Sequence, residues 1–162
     1  TPAMLSGEFH HYGVVRRLSE LLPANAIIVS DTGGNTIMMG HAFRSKAGQR
    51  IFSSNGNTPM GFALCGAIGA WFAEPERPII CLIGDGGMQL NIQELQTIVH
   101  HKIPVKIFVI NNEGYQAIRI TERNNFGRFI GESTESGVSF PDTRKIAKAY
   151  GIKFFRNNCD YT

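Results

Sequence analysis

The sequence predicts an α/β fold built on a parallel sheet with helices on both faces, and three observations predict it. Continuous apolar runs bounded by Gly, Pro or Asn recur along the chain, as strands buried on both faces require. Segments with apolar residues at helical spacing lie between them. The two kinds alternate, and a parallel sheet needs that alternation because each crossover to the next parallel strand takes a helix.

The strand-like runs are 26–30, 51–53, 79–83, 105–110 and 152–155. A helix over 12–22 places Val14, Val15, Leu18, Leu21 and Leu22 on one face and stops at Pro23. A second, over 60–72, is apolar and rich in Gly and Ala. A third, over 91–101, carries Ile92, Leu95, Ile98 and Val99 at helical spacing, and a fourth covers 141–150 with Pro141 suited to its first turn. Residues 120–139, polar and Pro-free apart from Phe126, Phe129 and Ile130, read as a long loop, either functional or a plain surface excursion.

With 162 residues and 43% hydrophobic content, the chain can bury one sizeable core, so residues 1–162 read as a single domain. It starts without Met and ends abruptly, which leads us to expect a piece of a longer chain or a recombinant domain. The 16 Lys and Arg against 13 Asp and Glu are scattered and interleaved, which argues against nucleic acid as a partner. No apolar stretch reaches the ~18 residues a membrane helix needs. Cys65, Cys81 and Cys159 cannot form a closed set of disulfides, and Cys65 and Cys81 look like small core residues, so a reducing, cytoplasmic setting is expected. His10, His11, His41, His100 and His101 show no metal-ligand spacing with Cys or carboxylates. His100 and His101 end a helix, where a cationic ring is favourable.

In a parallel sheet, ligands bind beyond the carboxyl ends of the strands, and the most unusual residues stand there. Gly84-Asp85-Gly86-Gly87 follows the third run and Asn111-Asn112-Glu113-Gly114 the fourth, with the 24 residues 87–110 between Gly86 and Asn111. That is the length of one helix plus one strand, so the two loops should lie side by side. A carboxylate, a side-chain amide oxygen and a backbone carbonyl make an oxygen-only set, which suits magnesium bound with phosphates better than zinc. The glycines let backbone N–H groups approach an anion, and a following helix start adds a favourable partial charge. Each piece alone is ordinary turn chemistry, so the weight rests on their order and spacing.

At these residues the chain resembles the thiamine-diphosphate enzymes, whose signature is GDG followed some two dozen residues later by NN. Within them it resembles the acetolactate synthase and 2-keto acid decarboxylase branch. The resemblance implies the thiamine-diphosphate-binding fold, with Asp85, the Asn112 side chain and the Gly114 carbonyl coordinating Mg2+, which in turn holds the cofactor's diphosphate. Gly86 and Gly87 would cradle the same phosphates, with Met88 next to them in the cofactor-binding set. Asp31-Thr32-Gly33-Gly34-Asn35-Thr36 looks like the branch's other diphosphate loop. Gly33 and Gly34 permit close backbone approach, and Asn35 or Thr36 can donate to a phosphate oxygen; read alone, the stretch is a Gly-rich helix start.

The run Asn55-Gly56-Asn57-Thr58-Pro59-Met60-Gly61-Phe62 is similar to the segment that passes under the cofactor's thiazolium ring. It brings Asn57 into the cofactor-binding set and gives Met60 the place of the family's bulky apolar wedge, the position assigned a direct part in catalysis. The family's run ends Gly-Thr-Met-Gly, whereas Thr58-Pro59-Met60-Gly61 carries a proline, which leaves the reaction open. Tyr115 belongs to a turn and short helix after the second metal loop, and either packs beside the cofactor or fills core.

The resemblance implies a transferase or lyase acting on a 2-keto acid. It also implies a partner, a pyrimidine-binding domain whose glutamate activates the cofactor, found elsewhere in the same enzyme or on another subunit of a homodimer or tetramer. No such domain is seen in these residues, so the isolated chain is expected to bind Mg2+ and diphosphate with little turnover. The alternatives are a subunit of a split 2-keto acid decarboxylase and a non-catalytic phosphate- or nucleotide-binding module.

Overall fold

Strand β1 (Ile27–Ser30) is the hub of the sheet. In the computed structural model, which describes residues 11–156, it pairs in parallel with β2 (Arg50–Phe52) on one side and β3 (Ile79–Gly84) on the other. Strand β3 also pairs in parallel with β4 (Lys106–Ile110), giving the order β2-β1-β3-β4. The chain crosses to one side of β1 first and then returns to the other. The carboxyl ends of β1 and β3 therefore flank the point where strand order reverses, the place where open α/β sheets bind ligands.

Alternation along the strands divides the core in two. Ile27, Val29, Ile79, Cys81 and Ile83 face helices α3 (Phe62–Ala73) and α5 (Glu94–His100), packing against Ala63, Leu64, Ala67, Ile68, Leu95 and Ile98. Ile28, Ile80 and Leu82 face the opposite way, onto Val15 and Leu18 of α1 (His11–Leu21) and Met38, Met39 and Ala42 of α2 (Gly34–Ala42). The remaining helices are α4 (Asp85–Leu90), α6 (Gln116–Asn125) and α7 (Thr143–Ala149), with a single 3-10 turn at Thr134–Ser136. The expected parallel sheet with helices on both faces is thus what forms.

Four of the five expected strands form; the run 152–155 does not. Its first amide serves the end of α7 instead. Gly151, at φ +70°, donates its N–H to Lys148 O, and Ile152 donates to Ala147 O at 2.8 Å. These are the two bonds that close a helix through a left-handed glycine. Ile152 then packs against the first core cluster, while Phe155 is left exposed.

Other expectations need adjustment. Residues 120–125 extend α6 and do not belong to a loop. Helix α3 begins at Phe62, two residues later than the reading from Met60. Pro141 precedes the first turn of α7, because Asp142 is the cap and its carboxylate accepts from the amides of Arg144 (2.7 Å) and Lys145 (3.2 Å). Leu21 points to solvent, and Cys65 is exposed on α3, whereas Cys81 is buried. His10 and Cys159 lie outside the described residues. No described helix is long and apolar enough to cross a membrane.

The two-faced core predicts unequal costs for truncating apolar residues. Leu82→Ala, at a fully buried β3 position, should cost about 2–5 kcal/mol. Ile120→Ala, on the exposed surface of α6, should stay within about 0.5 kcal/mol. Urea denaturation of the two variants checks this.

Candidate functional site

The carboxyl end of β1 delivers Asp31 into the gap between β1 and β3, where its N–H donates to Leu82 O at 2.8 Å. The side chain is almost wholly buried, at 2% exposure, and accepts from the α3 entry: Gly61 N–H to Oδ2 at 3.1 Å and Ala63 N–H to Oδ1 at 3.3 Å. Burial pushes this carboxyl above its ordinary value, against the pull of the N–H groups of Gly61, Ala63, Thr32 and Phe62.

Three segments meet on Asp31. The loop that follows it turns at Gly33, whose φ of +68° and ψ of −133° suit glycine alone, and enters α2. The α3 entry is held by its carboxylate. A Cβ placed on Gly87 would lie 2.1 Å from Asp31 Oδ2, so α4 approaches closely enough to demand glycine there. The α3 entry is also tied to α4 directly, because Asn91 Nδ2 donates to Gly61 O at 3.1 Å.

Met60 stands in the turn just before Gly61 and is half-buried. The departure noted at Thr58-Pro59 has a backbone counterpart, since Thr58 adopts φ +42°, an uncommon conformation for a β-branched residue. Asn57 is exposed in the same turn.

In the loop after β1, the Thr36 hydroxyl donates to Asp31 O at 2.8 Å, so its proton is already engaged. Asn35 donates to Thr32 O at 3.3 Å, while its Oδ1 is buried without a partner. The backbone amides at the start of α2, including those of Gly34, Asn35 and Thr36, have no acceptor within their own helix.

The loops after β3 and β4 lie side by side, as their spacing predicted. Asp85 Oδ1 accepts from Gly86 N–H at 2.8 Å, and its Oδ2 is buried with no partner. One end of the Asn112 carboxamide sits 2.7 Å from Gly114 O and 3.2 Å from Asp85 Oδ1. Both neighbours are acceptors. With the amide nitrogen there, two hydrogen bonds form; with the oxygen there, three oxygens converge and a cation must lie among them. Adjacent oxygens of an octahedron with 2.0–2.1 Å bonds are about 2.9 Å apart, which is the spacing Mg2+ demands. Among the described residues, no group of three or more His, Cys, Asp and Glu could hold a metal. A metal site here must therefore mix carboxylate, amide and carbonyl, and this donor set fits Mg2+.

Gly86 and Gly87 are shaped by packing. A Cβ on Gly86 would lie 2.4 Å from the Tyr115 ring, which itself meets Phe140 edge-on at 5.2 Å. Tyr115 thus packs over the loop that carries Asp85. Met88, read with the cofactor-binding set, has its side chain 4% exposed and packed in the first core cluster, so only its backbone faces the loop. His41 stacks near Tyr12, and His100 and His101 contact each other at the end of α5.

Three residues of the site escaped the sequence reading as separate contributors. Asp31 had a usable signal, a carboxylate directly after a buried apolar strand. Asn91 and Glu132 had none, since each acts through a partner far away in sequence. Glu132 is 4% exposed, and its carboxylate accepts from Arg119 Nε and from Ser133 Oγ at 2.7 Å. The Ser133 hydroxyl first, and the Arg119 guanidinium with it, hold Glu132 below the ordinary carboxylate value.

A parallel sheet with glycine-bearing loops, and with a carboxylate, an amide and a carbonyl gathered beyond its carboxyl edge, points to a cation- and phosphate-binding domain. The comparisons with known proteins identify which. Residues 31–161 match the family "Thiamine pyrophosphate enzyme, C-terminal TPP binding domain", and the chain belongs to that family. Its cofactor is thus thiamine diphosphate with Mg2+.

Among the relatives is the probable acetolactate synthase large subunit of Methanococcus aeolicus, 37% identical over 132 residues, covering 80% of this chain and 21% of that protein. Another is the acetolactate synthase isozyme 1 large subunit of Escherichia coli (strain K12), 37% identical over 144 residues, covering 88% and 25%. The chain spans about a fifth to a quarter of the length of these relatives.

Two predictions follow from Asp31. Gly87→Ala should cost about 1–3 kcal/mol through the clash with its carboxylate. Gly69→Ala, with open space around it in the middle of α3, should be neutral or stabilising in the same urea titration. The second concerns pH. Between the unfolded carboxyl value of about 3.9 and the raised folded value, the folded chain keeps a proton that the unfolded chain has released. Stability therefore falls as pH rises through that window. Asp31→Asn should flatten this slope, and parallel stability–pH curves for wild type and variant would contradict the assignment.

Proposed function

We propose that the chain is the cofactor-anchoring domain of an acetolactate synthase-like enzyme, cytoplasmic and acting on a 2-keto acid by C–C bond formation or decarboxylation. The observation that carries this reading is the convergence of Asp85, Asn112 and Gly114, where one end of the Asn112 carboxamide lies 2.7 Å from Gly114 O and 3.2 Å from Asp85 Oδ1. Those three hold Mg2+ through Asp85, the Asn112 amide oxygen and the Gly114 carbonyl, and the unpartnered Asp85 Oδ2 offers a further acceptor for the metal or its water.

The free amides at the start of α2, with Gly33 and Gly34 leaving the approach open, receive diphosphate oxygens on the β1 side. Asn35 lines that approach, and Gly86 and Gly87 present their backbone to the phosphates on the β3 side. Met60 props the cofactor from beside Asn57, and Tyr115 packs over the metal loop. Bound thiamine diphosphate supplies the electron sink for making or breaking a bond next to a carbonyl. The group that activates it belongs to a pyrimidine-binding domain, contributed by another part of the enzyme or by a second subunit of a homodimer or tetramer. The relatives, four to five times the length of the matched segment, have room for such a domain.

Isothermal titration with thiamine diphosphate and Mg2+ tests the reading. Asp85→Ala should weaken Mg2+-dependent binding by more than the 10–100-fold typical of losing a group behind the ligands, with circular dichroism of the variant checking that it is folded. Unchanged affinity in Asp85→Ala, or binding of ADP in preference to thiamine diphosphate, would overturn it.

A further inference from the structure

The segment after α6 folds back onto the metal loop. Gly114 and Ser133 form an antiparallel bridge, and Tyr115 N–H donates to Glu132 O at 2.7 Å. The contact leaves no space, because a Cβ on Gly114 would lie 2.3 Å from Glu132 O and 2.7 Å from Arg119 Nη2.

The Tyr115 N–H and the Gly114 carbonyl belong to one peptide group. That group is planar and trans, so its N–H and C=O point in opposite directions. Fixing the N–H on Glu132 O therefore fixes the Gly114 oxygen on the opposite side, toward Asn112.

What holds Glu132 in place is its side chain. One carboxylate oxygen accepts from Arg119 Nε in α6, the helix that begins directly after Tyr115. The other accepts from Ser133 Oγ. Ser136 Oγ closes the turn by accepting from the amides of Glu132 and Ser133, both at 2.8 Å, and Gly131 N–H donates to Ser136 O. The ion pair and the backbone bond thus clamp the Gly114–Tyr115 peptide from both ends of a short circuit.

We infer that Glu132, through its pairing with Arg119, is a positioning residue for the metal: it sets the direction of the Gly114 carbonyl that serves as a ligand. This rests on the reading of Asp85, Asn112 and Gly114 as the magnesium set. The ion pair lies outside the ligand shell, so its loss loosens the carbonyl without removing an oxygen.

The test uses the full 162-residue chain with Mn2+ as a paramagnetic stand-in for Mg2+, titrated in the presence of thiamine diphosphate and followed by electron paramagnetic resonance. Glu132→Gln, which keeps the shape and loses the charge, should weaken Mn2+ binding 10–100-fold. Arg119→Lys, which keeps the charge and loses the forked geometry, should fall between Glu132→Gln and wild type. Exchange of the Tyr115 amide proton, measured by NMR without any ligand, should be faster in Glu132→Gln than in wild type.

Each outcome decides something. Wild-type affinity in Glu132→Gln, or unchanged Tyr115 exchange, overturns the positioning role while leaving the metal site standing. Failure of wild type itself to take up Mn2+ overturns the site, and the positioning role with it. Weaker binding together with faster Tyr115 exchange supports the inference, since a merely destabilised fold would speed exchange throughout β3 and β4 as well.

Discussion

The Asp31 carboxylate is the interaction on which the arrangement of the loops depends. It lies at the switch point, touches the entry to α3 through two backbone amides, and sits where only glycine at position 87 leaves room for it. The desolvation that raises its pKa outweighs the amides that would lower it, so ionising Asp31 costs more in the folded chain than in the unfolded one. A buried apolar residue in its place would pack more cheaply, but it could accept no hydrogen bond from Gly61 or Ala63. The α3 entry, and with it the turn that carries Met60, would lose the anchor that sets its height above the sheet.

The second constraint is the short distance between loops from different strands. Parallel pairing of Gly84 with Ile110 brings the ends of β3 and β4 level, so Asp85 and Asn112 emerge side by side. Tyr115 then covers Gly86, and the Gly114–Tyr115 peptide is clamped against Glu132. Glycine at 86, 87 and 114 has one physical reason in all three places: another chain segment occupies the volume a Cβ would need. The sheet supplies the register, and the glycines let the loops close on one another.

Much of this was legible in the sequence because strand burial and loop chemistry are local. Residues 26–30, 79–83 and 105–110 announced their strands by unbroken apolar runs, and Asp85 and Asn112 stood out as polar residues directly behind them. The helices that went unread lack a local signature. Helix α4 is built on Gly86 and Gly87, poor helix formers held in shape by Tyr115 and Asp31. Of helix α6 only the start after Tyr115 was read; the helix buries none of its residues and leaves Ile118 and Ile120 on the surface. The run 152–155 misled for the opposite reason: its composition is strand-like, yet its first amide completes the end of α7. Asp31, Asn91 and Glu132 act on partners 13 to 32 residues away, beyond any spacing rule.

The two buried side-chain oxygens without partners among the described residues, Asn35 Oδ1 and Asp85 Oδ2, belong to the loops after β1 and β3, one on each side of the switch point. A buried acceptor left unmatched costs roughly 1–3 kcal/mol, and a fold selected for stability alone would have replaced both. Their position argues that the deficit belongs to the site. Anything that binds only the folded chain and supplies the missing partners returns that stability by mass action. A cation meeting Asp85, and a donor of the cofactor reaching Asn35, would do so on both sides of the same gap. The folded chain is consequently least satisfied, among its described residues, at the loops proposed to receive the cofactor, and the closely packed glycines around them leave protein little means of filling the gap in any other way.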